Sequence, residues 1–189
     1  MLTSLPIANI LTISRIFILV PYVLLFYIPH SWANWTAVAL YLYACLTDYF
    51  DGFFARRRNQ ESSFGRFLDP VADKLLIITT FVMLAGTNRL SGVSLIPSVI
   101  ILCREVFVSG LREFLADVKV SVPVTLLAKW KTAVQMAALS FLLADDMRGL
   151  IWGLHELGII LLWLAAILTL FTGYQYMKTC YPHIPFEGE

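Results

Sequence analysis

The feature that most constrains this chain is a run of about twenty apolar residues, met six times within 189 residues: roughly 9–30, 34–57, 69–87, 94–116, 126–145 and 152–177. A hydrocarbon layer roughly 30 Å thick takes about 20 residues of helix at about 1.5 Å per residue. Inside that layer a segment must bond its own N–H and C=O groups, which a helix does and an isolated strand does not. Six such runs joined by short connections predict an all-α integral membrane protein, with six transmembrane helices in one bundle and a single domain over residues 1–189. Composition agrees, with 59% hydrophobic residues and 14% charged and a mean hydropathy of +0.75, beyond the soluble range. A net charge of +1 says nothing by itself about nucleic acid or acidic partners; membrane lipids, and no nucleic acid, are the expected partners of a chain of this class.

The connections predict orientation. "ARRRNQESSFGR" after the second run carries four arginines, and the region after the fourth carries Arg112, Lys119, Lys129 and Lys131. "YIPHSWAN" has no Lys or Arg, and "ADDMRGL" has two acids against one base. Positive loops stay inside, so the second and fourth connections and both termini are expected in the cytoplasm. The N-terminal stretch has neither the basic start and cleavage site of a signal peptide nor the Arg-rich pattern of a transit peptide, which points to a bacterial plasma membrane. From Ile16 to His30 a helix would rise only about 22 Å, so the first helix is expected to begin before Arg15. That puts Asn9, Thr12 and Arg15 on one drifting stripe at the cytoplasmic end, a candidate polar lining; the alternative is an arginine snorkelling to the interface. Cys45, Cys103 and Cys180 form no CxxC pair and read as structural, and Asn34 of "NWT" reads as a helix N-cap.

Against this apolar background, "CLTDYFDGFFARRRNQESSFGRFLDPVADKLLI" places Asp48, Asp51, Asp69 and Asp73 at the edges of two hydrophobic runs. Each carboxylate at a helix centre costs roughly 2.5–3.5 kcal/mol, and a cluster adds mutual repulsion. Divalent cations offset both terms, and hard ions such as Mg²⁺ or Mn²⁺ take oxygen ligands. Spacings of three and four residues put each pair within about 60° on one helix face, so two facing pairs could clamp two metals. A blander alternative has Asp69 capping a helix that starts at Pro70, with Asp48 or Asp51 paired to Arg56, Arg57 or Arg58. Intramembrane carboxylates also mark ion pathways, so a transporter is the rival class, although no paired repeat is visible.

Asp48, two residues, Asp51, Gly52, two residues, Ala55, Arg56, eight residues, Gly65, three residues, Asp69, three residues, Asp73: this pattern resembles, without a departure, the signature of the CDP-alcohol phosphotransferase family. The resemblance implies two divalent cations held by Asp48, Asp51 and Asp69 with Asp73 nearby. It implies CDP bound against Gly52, Ala55 and Arg56, with Asp48, Gly65 and Asp69 beside it. Asp73 is then the general base for an acceptor hydroxyl, and CDP-diacylglycerol the donor. The family also implies a homodimer.

The remaining polar residues bear on the acceptor. Arg104 and Arg112 lie eight apart, about 80° around a helix, and can face one cavity. Lys129 and Lys131 open the fifth run and differ by about 200°, so one of the two is expected to face inward. A basic pocket beside the metal site suits an acceptor with a phosphate, which Arg grips bidentately; the alternative is contact with anionic lipid headgroups. Together with "ILTISR" and "FLDPVADK", these stretches resemble the family members that use sn-glycerol 3-phosphate. Inositol phosphate, phosphatidylglycerol and serine remain the other acceptors.

Overall fold

The computed structural model describes residues 7–58, 63–117, 126–145 and 153–181, with side chains described at these positions except 7–12, 48–58, 63–70, 73 and 117. Among the described residues every regular element is helical: α1 (Ile7–Leu25), α2 (Ser31–Arg58), α3 (Ser63–Gly86), a 3-10 turn (Gly92–Ser94), α4 (Leu95–Asp117), α5 (Leu126–Ala144) and α6 (Leu154–Cys180). They fall into two compact units, one of residues up to Ser91 together with Leu139–His155, the other of Gly92–Ala138 and residues from Glu156 onward.

In the first unit α1 packs on both α2 and α3, and α2 touches α3. The face that α2 buries is Ala33, Ala37, Tyr41 and Ala44, spaced four, four and three, so small side chains let a neighbouring backbone come close. From α1, buried Tyr22 reaches across to α3, its hydroxyl 3.0 Å from Thr80 Oγ1. Thr80 already donates to the Leu76 carbonyl at 2.8 Å, so the Tyr22 hydroxyl is the donor in this pair.

Two boundaries differ from the sequence expectation. α1 ends at Leu25, five residues early, because the chain tightens into i to i−3 bonds at Phe26, Tyr27 and Ile28 just ahead of Pro29, which has no N–H to continue a helix. Beginning at Ile7, α1 has 19 residues, a rise of about 28 Å at about 1.5 Å per residue. α3 starts at Ser63, so Asp69 and Pro70 lie about two turns inside it. Asp69 is therefore not the N-cap of a helix beginning at Pro70.

Asn34 is a further correction. It sits inside α2, which begins at Ser31, and its Oδ1 accepts a 2.6 Å hydrogen bond from Arg89 Nη2. Arg89 also donates to the Leu143 carbonyl at 2.8 Å and lies 5.9 Å from the Phe26 ring centre. One guanidinium thus joins α2, the residue after α1, the turn after α3 and the end of α5. The turn that presents it closes through Arg89 and Leu90 N–H groups on the Leu84 carbonyl, at 3.0 and 3.1 Å, with Asn88 at φ 57°, a left-handed conformation that asparagine tolerates.

In the second unit α6 buries Gly158, Leu162, Ala165, Ala166, Thr169, Thr172, Gly173, Tyr176 and Cys180, a continuous stripe at helical spacing. Its opposite face leaves Ile160, Ile167, Leu170 and Phe171 more than half exposed. On α4, Ile101, Val108 and Leu115 are buried at seven-residue steps, while Val99, Val106 and Phe107 are exposed. Exposed apolar faces of this kind suit contact with lipid, and exposed charges occur toward the helix ends, at Arg112, Glu113, Glu156 and Lys178. Among the described residues Gly92–Ala116 and Leu154–Cys180 are long and apolar enough to cross a bilayer. Shorter apolar stretches occur at Ile13–Leu25 and Lys74–Gly86.

Candidate active site

Unbroken α-helix runs through Asp48, Asp51, Gly52, Ala55 and Arg56 on α2 and through Gly65, Asp69 and Asp73 on α3. Their side chains lie outside the described residues, as do those of Asn9 and Thr12 on α1. What the backbone establishes is register: a regular helix puts Asp48 and Asp51 about 60° apart on one face of α2, and Asp69 and Asp73 about 40° apart on one face of α3. Only residues 59–62 separate the end of α2 from the start of α3. Carboxylates are oxygen donors, a chemistry that fits a hard divalent cation and suits softer metals poorly. Among the described residues no group of three or more His, Cys, Asp or Glu could hold a metal, and the four aspartates fall outside that set.

Arg15 is 2% exposed, so its guanidinium does not snorkel out to the interface. It is a buried charge within the first unit, on the same helix as Asn9 and Thr12.

The second unit gathers most of the predicted cations. Lys131 is 5% exposed, whereas Lys129 faces outward and the neighbouring Trp130 is 66% exposed. The structure therefore selects Lys131 as the inward lysine of α5. Its ammonium donates to Glu105 Oε1, and the same oxygen lies 3.6 Å from Arg104 Nη1. Arg104 Nη2 donates to Thr172 Oγ1 at 3.0 Å, and Arg112 Nη2 donates to the Tyr176 hydroxyl at 2.7 Å. Three cations from α4 and α5 thus meet one carboxylate and the polar face of α6. Lys131 and Arg104, both largely buried, share the single carboxylate of Glu105, an excess of positive charge that a further anion would balance, while Arg112 is exposed.

Further polar groups lie buried in the same unit. Gln135, one turn after Lys131, is 3% exposed and Thr169 0%; Gln135 Oε1, Thr169 Oγ1 and Arg104 Nε have no hydrogen-bond partner among the described residues.

Sequence reasoning found Arg104, Arg112 and the lysine pair, and missed Glu105, Thr172, Gly173 and Tyr176. For Thr172 and Tyr176 the spacing was a signal: they stand four apart, hence on one face of the 27-residue α6. Glu105 was masked by its adjacency to Arg104, which invites the reading of a self-neutralising surface pair.

The CDP-alcohol phosphatidyltransferase family matches residues 5–171. The chain belongs to this family. Among its curated relatives, the protein of Rickettsia typhi is 49% identical over 172 residues, covering 91% of this chain and 95% of the relative. That of Shigella flexneri is 40% identical, covering 91% and 93%, and that of Cereibacter sphaeroides 36%, covering 96% and 98%. All three carry the name CDP-diacylglycerol–glycerol-3-phosphate 3-phosphatidyltransferase. The family's match contains the aspartate helices together with α4 and α5, and ends at residue 171 within α6.

Proposed function

We propose that this CDP-alcohol phosphatidyltransferase moves the phosphatidyl group of CDP-diacylglycerol to a hydroxyl of sn-glycerol 3-phosphate, giving phosphatidylglycerophosphate and CMP. The observation that carries the acceptor is the cluster of Arg104, Arg112 and Lys131 within one unit, a set of donors matched to a phosphate monoester, and the reaction is the one named for relatives up to 49% identical.

Asp48, Asp51 and Asp69 hold two divalent cations in this reading, Mg²⁺ or Mn²⁺, with Asp73 beside them. Such ions, when bound, neutralise the pyrophosphate and the charge that builds on departing CMP. Gly52, Ala55 and Gly65 leave room for CDP beside Asp48 and Asp69, and Arg56 adds a positive charge for its phosphates. Asp73 takes the proton of the acceptor hydroxyl. The hydroxyl oxygen bonds to the phosphorus that carries diacylglycerol, the bond from that phosphorus to the CMP oxygen breaks, and CMP leaves with the electron pair. Arg104, Arg112 and Lys131 hold the acceptor's own phosphate. Lys129, facing outward, contributes to the headgroup region and not to the grip.

The chain works, in the same reading, as one six-span domain of a bacterial plasma membrane, multi-pass and homodimeric, with its carboxylates and both termini on the cytoplasmic side. CDP and glycerol 3-phosphate then arrive from water while the acyl tails stay in lipid.

CMP release by the purified protein in detergent tests this directly, with CDP-diacylglycerol, Mg²⁺ or Mn²⁺, and separate additions of glycerol 3-phosphate, inositol phosphate, serine and phosphatidylglycerol. Metal-dependent release with glycerol 3-phosphate and a product of the mass of phosphatidylglycerophosphate is the expected result. Release with another acceptor would keep the chemistry and discard the acceptor assignment. Silence with all four from folded protein would favour a transporter.

A further inference from the structure

We infer that Thr172, Gly173 and Tyr176 of α6 form a positioning rack that sets the two guanidiniums of α4 for a phosphate, an inference that rests on the acceptor reading above. Arg104 and Arg112 are eight residues apart, so their Cα atoms are separated by about 12 Å along α4. Their guanidinium carbons nonetheless lie 5.9 and 5.0 Å from the centre of one ring, that of Tyr176. Drawing two like charges toward one point is unfavourable unless something holds each of them.

The holding groups are on α6. Tyr176, 4% exposed, offers its π face to both cations and its hydroxyl oxygen to Arg112 Nη2 at 2.7 Å. Thr172, 1% exposed, gives its proton to the Leu168 carbonyl at 2.9 Å, which leaves its oxygen lone pairs for Arg104 Nη2 at 3.0 Å. Gly173 makes room between them: a Cβ there would stand 3.3 Å from Arg104 Cγ, tighter than ordinary van der Waals contact. One helical turn therefore supplies an acceptor for each guanidinium, a shared aromatic face, and the gap that lets the Arg104 stem lie across the helix.

The rack does not exhaust the donors. Arg104 Nε is buried and has no partner among the described residues, and Arg112 commits one nitrogen to Tyr176. Spare N–H groups on two preset guanidiniums match the oxygens of a phosphate monoester. Presetting them lowers the rotamer entropy that ligand binding would otherwise cost.

The test compares wild type, Tyr176→Phe and Thr172→Val as full-length protein in detergent. Apparent KM is measured for glycerol 3-phosphate and for CDP-diacylglycerol, and calorimetric Kd for inorganic phosphate and glycerol 3-phosphate. Tyr176→Phe keeps the ring and removes only the Arg112 acceptor. It should raise the acceptor KM and both phosphate Kd values roughly three- to tenfold while kcat and the CDP-diacylglycerol KM stay within about twofold, the size of one partly transmitted hydrogen bond. Thr172→Val, nearly isosteric, should act in the same direction through Arg104. Unchanged acceptor KM and phosphate Kd in both variants, or an equal rise in both substrates' KM, would overturn the rack. If wild type binds phosphate yet does not use glycerol 3-phosphate, the acceptor reading fails while the Kd comparison still decides the rack.

Discussion

Lys131 of α5 and Arg104 of α4 converge on a single oxygen of Glu105, the lysine by a direct hydrogen bond and the arginine at 3.6 Å. Lys131 is almost wholly buried, so Glu105 is the group that makes a charged ammonium tolerable there. Replacing Glu105 by Gln removes the counter-charge while keeping most of the shape. The acceptor KM is expected to rise at least about fivefold with a smaller change for CDP-diacylglycerol, and Glu105→Asp should recover part of the loss. Lys131→Met combined with Glu105→Gln, which removes both charges of the pair, should weaken acceptor use without lowering the unfolding temperature, since replacing a buried ion pair by uncharged chains is often neutral for stability. A fall in unfolding temperature with equal loss for both substrates would make the pair structural.

The aspartates separate by role. Asp51→Asn removes a metal ligand in the proposed arrangement, and turnover should fall by about a hundredfold or more, with the metal concentration for half-maximal rate shifted upward. Asp73→Asn should also lower kcat by about a hundredfold or more but leave CDP-diacylglycerol binding nearly intact, as expected for loss of a general base. Direct lipid-binding measurements on the two variants distinguish these outcomes, and near-normal turnover of either one contradicts its assignment.

Arg89 contributes to stability and not to chemistry. Its hydrogen bonds to Asn34 and to the Leu143 carbonyl join parts of the first unit far apart in sequence. Arg89→Ala should cost roughly 1–3 kcal/mol, the range for losing charge-assisted bonds, seen as a lower unfolding midpoint in detergent. Acceptor KM should not change. Arg89→Lys should recover little, because an ammonium lacks the planar fork that serves both partners.

Tyr22→Phe is expected to cost about 1 kcal/mol or less. Thr80 keeps its own bond to the Leu76 carbonyl, so no buried donor is stranded when the phenol is removed. A much larger loss in unfolding midpoint would mean that the Tyr22 hydroxyl supports more than this one bond.

The sequence by itself determined what depends on local repetition. Hydrophobic runs of bilayer length specified the helices, and the spacing of Asp48, Asp51, Asp69 and Asp73 specified shared helix faces, because helical periodicity is fixed by the backbone and needs no knowledge of neighbours. The boundaries failed where local cues competed. Pro70 looked like a helix start yet lies inside α3, and Asn34 looked like a cap yet serves Arg89, since a proline or an amide can be accommodated wherever packing outweighs its intrinsic preference. Which lysine of α5 turns inward, and what receives Arg104 and Arg112, follow from the packing of helices distant in sequence. Those partners stand 26, 64 and 68 positions away along the chain, and a separation of that kind leaves no periodic trace in the sequence. Burial of a charge is a property of three packed helices, and no one of them carries it alone.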